Sequence, residues 1–325
     1  MTRIAIVEGD GIGHEVIPVA QRALELLHPE YEFFSVDVGY HRWEQTGCPC
    51  ADRDIAELKT ADAILFGAIM TPPMKDYQSV VLRLRKALDL YADLRPVKGD
   101  GFDIMIVREN TEGLYSGIEE IGPDRATTLR VVTRKGTERV VRSAIRLAQQ
   151  RKGKLTIGHK ANVLKSDVFF RDICLTEAKT AGVTYNDRFI DALALDILQH
   201  PDSYDVIVTT NIFGDIISEV ASYLIGGLGL ASSANIGDRY AMFEPVHGSA
   251  PDIAGKNIAN PIAALRSAGM LLAYCGDAKG LDRIEAAIQA VLAEGIRTRD
   301  LGGSAGTREF GEAVLRRLRQ TNGRT

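Results

Sequence analysis

The chain has 325 residues, 45% hydrophobic and 25% charged, with 39 Lys+Arg against 43 Asp+Glu and a formal net charge of -4. That balance excludes disordered, collagen-like and coiled-coil chains, and it leaves no basic excess to drive counterion release from nucleic acid. The length suits two domains or one large α/β unit.

Cys48, Cys50, Cys174 and Cys275 are too few and too scattered for a disulfide framework. The C-x-C spacing of Cys48-Pro49-Cys50 fits neither a zinc knuckle nor a redox pair, so reduced thiols in a cytoplasmic protein are expected. The start of the chain carries no signal-peptide pattern, and no apolar run reaches membrane-spanning length.

In chain order, residues 3–7 read as a buried strand that runs through a glycine turn into a helix over 14–27. Strands follow at 32–37 and 62–67, with a helix at 53–60 between them. Residues 79–91 read as a helix, DIMIVRE and TLRVVTR as strands, 136–151 as a helix and KLTIGHK as a strand. A helix at 166–181 precedes the buried strand DVIVTTN. GDIISEVASYLIGG is a helix closed by Gly226-Gly227. Residues 260–295 and 307–320 are helical. Alternating strands and helices predict an α/β fold with a largely parallel sheet. No Pro/Ser-rich linker interrupts the chain, so it is expected to cross between its domains more than once.

Gly9-Asp10-Gly11-Ile12-Gly13 sits between strand and helix, but its spacing is G-x-G-x-G and Asp10 would repel a pyrophosphate. A structural turn is favoured over a dinucleotide loop. Arg85, Arg95 and Arg108 stand among apolar residues. Either they converge on a substrate with two carboxylates, or each serves a structural ion pair. Gln78, Val81 and Leu82 are spaced to share a helical face with Arg85, so an apolar substrate branch would fit beside it. Arg83 faces elsewhere.

Asp215 and Glu219 lie four apart on an apolar helix, and Asp191 is a third acid in an apolar setting. They form a solvated acidic face or an all-oxygen site for Mg²⁺ or Mn²⁺. Lys160, at the end of a buried strand, needs either a carboxylate partner or a depressed pKa, and either state suits proton abstraction. Tyr115 is a candidate proton donor. The long loop from Glu244 to Pro261 carries His247, Asp252 and Asn260 and could wrap an adenosine. Asp252 would favour NAD over NADP by bonding ribose hydroxyls.

VEGDGIG, LDLYADLRP, VRENTEGLYSG, HKANVLK, TTNIFGD and EPVHGSAPDIAGKNIANP together resemble the isocitrate/isopropylmalate dehydrogenase family, from about residue 3 to about 306. The archaeal-type isopropylmalate and homoisocitrate enzymes look most similar. The resemblance implies a non-Rossmann fold of two α/β domains around a large mixed sheet, with the active-site cleft between them. It implies a discontinuous cofactor-binding domain (1–91 and 226–325) and a domain for substrate, metal and dimerisation (92–225). It also implies a homodimer with shared active sites, or a tetramer.

The same resemblance implies that Arg85, Arg95 and Arg108 hold the substrate carboxylates, that Tyr115 protonates the enol, and that Lys160 takes the hydroxyl proton in the partner's site. Metal would be held by Asp215 and by Asp191 of the other subunit. Glu219 stands where the family's second helix acid is an aspartate. The adenosine of NAD would sit against His247, Gly248, Ser249, Ala250, Asp252, Ile253 and Asn260, with Gln78 and Asn162 also on the cofactor side. NADP-using members carry lysine and tyrosine at the positions of Asp252 and Ile253.

Ser79 matches an isocitrate-enzyme serine, but Val81 replaces that group's asparagine. Leu82 stands where one type of homoisocitrate enzyme has arginine. Val81, Leu82 and Val163 therefore resemble an isopropyl pocket, while RVVTRKGTERV and FGAI resemble homoisocitrate enzymes. The order implied is 3-isopropylmalate, then homoisocitrate, then isocitrate. A non-catalytic regulatory paralogue is the rival class.

Overall fold

The computed structural model describes residues 1–74 and 76–322. In chain order the elements are β1 (Arg3–Val7), α1 (Gly13–Leu27), β2 (Glu32–Ser35), α2 (Tyr40–Thr46), α3 (Asp52–Leu58), β3 (Ala63–Phe66) and α4 (Val80–Ala87). Next come β4 (Ala92–Gly99), β5 (Phe102–Glu109), β6 (Glu119–Ile121), β7 (Ala126–Thr128), α5 (Arg134–Gln150) and β8 (Lys154–His159). They continue with α6 (Lys165–Ala181), β9 (Thr184–Phe189), α7 (Ile190–Gln199), β10 (Val206–Thr209) and α8 (Asn211–Ser222). The chain finishes with β11 (Ser232–Ile236), β12 (Ala241–Pro245), α9 (Ile262–Tyr274), α10 (Gly280–Ala293) and α11 (Thr307–Asn322).

Two units emerge. The first comprises residues 1–88, 228–234 and 239–325, and the second 89–227 and 235–238. In the first unit the strands run β2-β1-β3-β12, all parallel. Ile4 to Val7 and Ile64 to Phe66 are fully buried, which is why these short runs carry no polar alternation.

In the second unit the order is β4-β5-β10-β8-β9, parallel except for the antiparallel β4–β5 pair. Both faces of the inner strand β10 are covered. Val206 and Val208 pack with α5 and α6 residues such as Val141 and Phe170. Ile207 packs on the opposite face with Leu193, Ile197 and Ile217 of α7 and α8. The period of two along one strand thus feeds two separate cores. Among the described residues no helix is long and apolar enough to cross a membrane. All four cysteines are free.

Several element readings need correction. The helix expected over 79–91 stops at Ala87, and Asp89 takes a positive φ of 50°. The residues after it form β4, which the sequence hid behind Pro96. A proline weakens a strand reading because it cannot donate to a ladder, yet here Pro96 pairs with Met105 across β5. TLRVVTR is not a strand. Its first residue, Thr128, ends β7 opposite Glu119, Val131 makes an isolated bridge to Gly113, and Thr133 then caps α5 by accepting from Gly136 N. The continuous helix over 260–295 breaks at residues 275–279, where Asp277 N–H bonds back to Leu272 C=O. Strand β9 (TYNDRF) is mostly exposed and shows no apolar alternation.

Candidate active site

The second unit builds a buried charge cluster from four elements. On the antiparallel pair β4–β5, Asp93 lies directly across from Arg108. Arg95 Nε donates to Asp93 Oδ2 at 2.8 Å, and Arg108 Nη1 lies 3.6 Å from the same oxygen. Asp93 and Arg108 are almost fully buried and Arg95 nearly so. Helix α8 supplies the other side. Arg108 Nη1 meets Asp215 Oδ1 at 2.5 Å, and Arg95 Nη2 meets the same oxygen at 3.1 Å. Asn211 Oδ1 accepts from Arg108 Nε and Nη2 at 3.1 and 2.7 Å, and Ser218 Oγ accepts from Arg95 Nη1 at 2.7 Å. The helix reaches this close because residue 214 is glycine. A Cβ there would lie 2.6 Å from Arg108 Cβ.

Tyr115, in the short 3₁₀ turn Leu114–Ser116, donates from its hydroxyl to Asp215 Oδ2 at 3.0 Å, with the Arg108 guanidinium 5.5 Å from its ring centre. Arg95, Arg108, Tyr115 and Asp215 therefore form one group. Arg95 and Arg108 converge, and both are ion-paired with Asp93 and Asp215, as the structural reading expected. Glu219 lies one turn beyond Asp215 and is exposed.

Lys160 follows β8, and its Nζ lies 2.7 Å from Asp191 Oδ2 on the first turn of α7. The sequence left two states open for this lysine, and the structure supplies the carboxylate partner. The hydrogen bond from Lys160 holds the Asp191 carboxyl below its usual range. Asn162 and Val163 are exposed on the turn after Lys160.

In the first unit, Arg85 is buried in the last turn of α4 and donates from Nη2 to Glu244 Oε1 at 3.1 Å. Its Nε is buried without a hydrogen-bond partner among the described residues. Val81 and Leu82 are half-buried on the same helix. Ser79 is its N-cap, accepting from Leu82 N. Gln78 precedes that cap, so it does not share the helical face of Arg85 as its spacing suggested. Arg83 turns away to Asp52 at 2.5 Å.

A cavity of about 510 Å³ lies along the loop after β12, lined by Ile12, His247, Gly248, Ala250, Ile253 and Asn260 among others. His247 Nδ1 pairs with Gly248 O at 3.0 Å, while Nε2 is buried with no partner among the described residues. Burial lowers the pKa of this imidazole and favours its neutral form. Ser249 is buried behind the loop. Asp252 is exposed, and its backbone carbonyl accepts from Lys256 Nζ at 2.6 Å. The acid on the cavity wall is Asp300, which accepts from Asn260 Nδ2 at 2.8 Å.

The glycine turn is structural. Asp10 is buried and accepts from three backbone amides, Tyr40 N, Met70 N and His41 N, at 2.8, 2.9 and 3.0 Å. The turn also carries the loop, since Ile12 N donates to Ser249 O at 2.9 Å. Gly11 has φ +58°, and a Cβ there would sit 2.0 Å from Ser249 O.

Comparison with known proteins decides the lineage. A profile described as isocitrate/isopropylmalate dehydrogenase matches residues 3–314. The chain belongs to the isocitrate/isopropylmalate dehydrogenase family. It is 46% identical over 329 residues to the isocitrate/homoisocitrate dehydrogenase of Thermus thermophilus, covering 98% of each chain. It is 44% identical over 336 residues to the 3-isopropylmalate/3-methylmalate dehydrogenase of Methanocaldococcus jannaschii, covering 98% of this chain and 100% of that one. The solved structure of isocitrate dehydrogenase from Methylococcus capsulatus matches with a TM-score of 0.94 at 39% identity, covering 98% of this chain and 100% of the other. The fold is the α/β fold of this family of β-decarboxylating dehydrogenases.

Within that family fold, sequence reasoning overlooked Asp93, Ser218 and Asp300, and gave Asn211 no role. Asp93 had a signal, an acid two residues from Arg95 in an apolar strand. Asn211 and Ser218 had none, because their roles arise only from how α8 lies on β4 and β5.

Proposed function

We propose that the protein catalyses the NAD- and divalent-metal-dependent oxidative decarboxylation of a 2-hydroxy acid with a β-carboxylate. Its substrate is 3-isopropylmalate, which places it in leucine biosynthesis in the cytoplasm. The observation that carries this reading is the gathering of Arg95, Arg108 and Tyr115 around Asp215. Two guanidiniums suited to bidentate carboxylate binding stand beside a phenol that can give up a proton.

The residues fit the implied groups. The donor set is all oxygen, as Mg²⁺ or Mn²⁺ prefers. Among the described residues no three His, Cys, Asp or Glu side chains gather as a ligand set. Asp215 and Glu219 would therefore hold the metal together with a ligand from outside the chain, and Asp191 of a second copy is our candidate. Exposed Leu195, Ile216 and Tyr223 on and just after α7 and α8 support a homodimer through this region. The His247 cavity suits the adenosine of NAD. When bound, the cation would supply charge stabilisation at the substrate's C2 oxygen, and NAD would accept the hydride.

The chain's own residues do the rest. Arg95 and Arg108 orient the carboxylates, and Arg85 offers its buried Nε. Lys160 accepts the hydroxyl proton, and Asp191 holds its Nζ in place. Tyr115 delivers a proton to the enol carbon after carbon dioxide leaves. An inactive paralogue is disfavoured because Tyr115, Lys160 and all three arginines are retained.

Apolar Val81 and Leu82 on α4 support an isopropyl branch, and Arg83 is engaged by Asp52 instead of reading a third carboxylate. Homoisocitrate is the second reading, favoured by the name of the Thermus relative. The test measures reduced-nicotinamide formation with Mg²⁺ or Mn²⁺ on 3-isopropylmalate, homoisocitrate, isocitrate and malate in parallel. The highest kcat/KM with 3-isopropylmalate is expected. A preference for homoisocitrate would overturn the substrate assignment, and no turnover with any of them would overturn the reaction.

A further inference from the structure

Lys160 is held at its backbone as well as at its amine. Its N–H donates to Asp167 Oδ2 at 2.6 Å, and the next amide, Ala161 N, donates to His159 Nδ1 at 3.1 Å. Asp167 is fully buried in the first turn of α6, and that helix has no side-chain cap. Its other oxygen, Oδ1, lies 2.5 Å from Arg130 Nη1. That contact is a charge pair and not an aligned hydrogen bond. Arg130 also donates to Ser166 Oγ at 2.7 Å and to Thr210 Oγ1 at 2.9 Å, and its guanidinium lies 5.3 Å from the Phe213 ring centre.

Thr210 is the residue before α8, the helix that carries Asp215 and Glu219. One guanidinium therefore joins the turn that carries Lys160 to the start of the helix that carries the candidate metal acids. Nothing in the reaction needs Arg130 or Asp167 to touch substrate. Yet a fully buried carboxylate is costly unless charge and hydrogen bonds compensate it, and here Arg130 supplies the charge and the Lys160 turn the hydrogen bond.

We propose that Asp167 and Arg130 are positioning residues that fix the Lys160 backbone, and through it the reach of the lysine amine. This rests on the reading of Lys160 as the base. Because Asp167 acts on a main-chain amide, its removal displaces Nζ without taking away any group of the guanidinium cluster or of the His247 cavity. A displacement on the order of 1 Å in such a group costs on the order of 100-fold in rate.

The test compares Asp167→Ala, Asp167→Asn and Arg130→Lys with the parent in steady-state kinetics on the best substrate found, with Lys160→Met as reference. Asp167→Ala should lower kcat by about 100-fold while KM for substrate and NAD stays within about twofold. Asp167→Asn keeps an acceptor for Lys160 N–H and should recover at least a tenfold share of that loss. Arg130→Lys keeps the charge but cannot reach Ser166, Asp167 and Thr210 together, so it should fall between the two. It also serves as the deciding variant if Asp167→Ala does not fold. Unchanged kcat in Asp167→Ala and Arg130→Lys, or a parallel rise in both KM values, would overturn the positioning role while Lys160→Met remained inactive. Turnover retained by Lys160→Met would instead overturn the reading on which it rests.

Discussion

The charge cluster of the second unit and the loop cavity of the first are built from opposite materials. Around Asp215 every functional group is held by another charged or polar side chain: Arg95 by Asp93, Arg108 by Asp215 and Asn211, Tyr115 by Asp215. Around His247 the loop is held largely at its own main-chain atoms, by backbone partners and by the side chains of Glu15 and Thr307. Ile12 N bonds to Ser249 O, Val246 N to Ala231 O, and Thr307 N to Asn257 O. A side-chain network can be retuned residue by residue, but its members are strongly coupled, because removing one strands the charge of another. A backbone-held loop tolerates side-chain change and fails where the main chain is forced to move. On the proposed function, chemistry belongs to the first kind of construction, and recognition of a constant cofactor to the second.

If that contrast is right, losses in the second unit should appear as lost turnover or lost stability, and losses in the first as lost nucleotide binding. The largest effect is expected at Lys160. Lys160→Met should lower kcat by roughly 10²–10⁴-fold, the usual worth of a general base, with NAD affinity unchanged by calorimetry. A loss of NAD affinity would move Lys160 to a cofactor role and blur the division.

Arg108→Met comes next. It leaves Arg95 as the one cation still shared by Asp93 and Asp215, and breaking a buried pair costs ~3–5 kcal/mol. A urea titration should show that loss in unfolding free energy. Asp93→Asn, which keeps shape and removes one charge, should cost less than Arg108→Met. If the two cost the same, the cluster is held by packing and not by charge.

Gly11→Ala tests the other region. The new methyl meets Ser249 O at a φ few residues tolerate, a strain of about 1–3 kcal/mol. NAD affinity should fall while kcat at saturating NAD stays near the parent value. An unchanged affinity would detach the glycine turn from the nucleotide loop.

The same division decides what was legible in the sequence. The loop residues lie together in one contiguous string, so His247, Gly248, Ala250, Ile253 and Asn260 could be named as a group before any coordinates. Arg95, Arg108, Tyr115 and Asp215 could be named singly, because each is a polar residue in an apolar run. Their convergence could not be derived, since it depends on the antiparallel register of β4 and β5 and on the approach that Gly214 allows. Strand β4 itself was hidden by Pro96, and Asp93 with it. Asp300 was out of reach for a different reason, because the chain brings it to Asn260 across 40 residues with no pattern to announce it.

The smallest effect concerns which acid is turned over, and it falls on α4, where the first unit contributes side chains and not backbone. Val81, Leu82 and Arg85 share this helix. The arginine is fixed by Glu244, and the two apolar residues are half-buried. An added arginine at position 82 would sit one turn before Arg85, as a cation within reach of a substrate's third carboxylate, and its own repulsion of Arg85 would limit the gain. Leu82→Arg should therefore raise the kcat/KM ratio of homoisocitrate to 3-isopropylmalate by about tenfold, equivalent to about 1.4 kcal/mol, with NAD affinity unmoved. Competition between the two acids in one cuvette reads that ratio directly. If the ratio does not move, Leu82 does not face the substrate branch, and specificity has to be sought at Ser79 or Val163 instead.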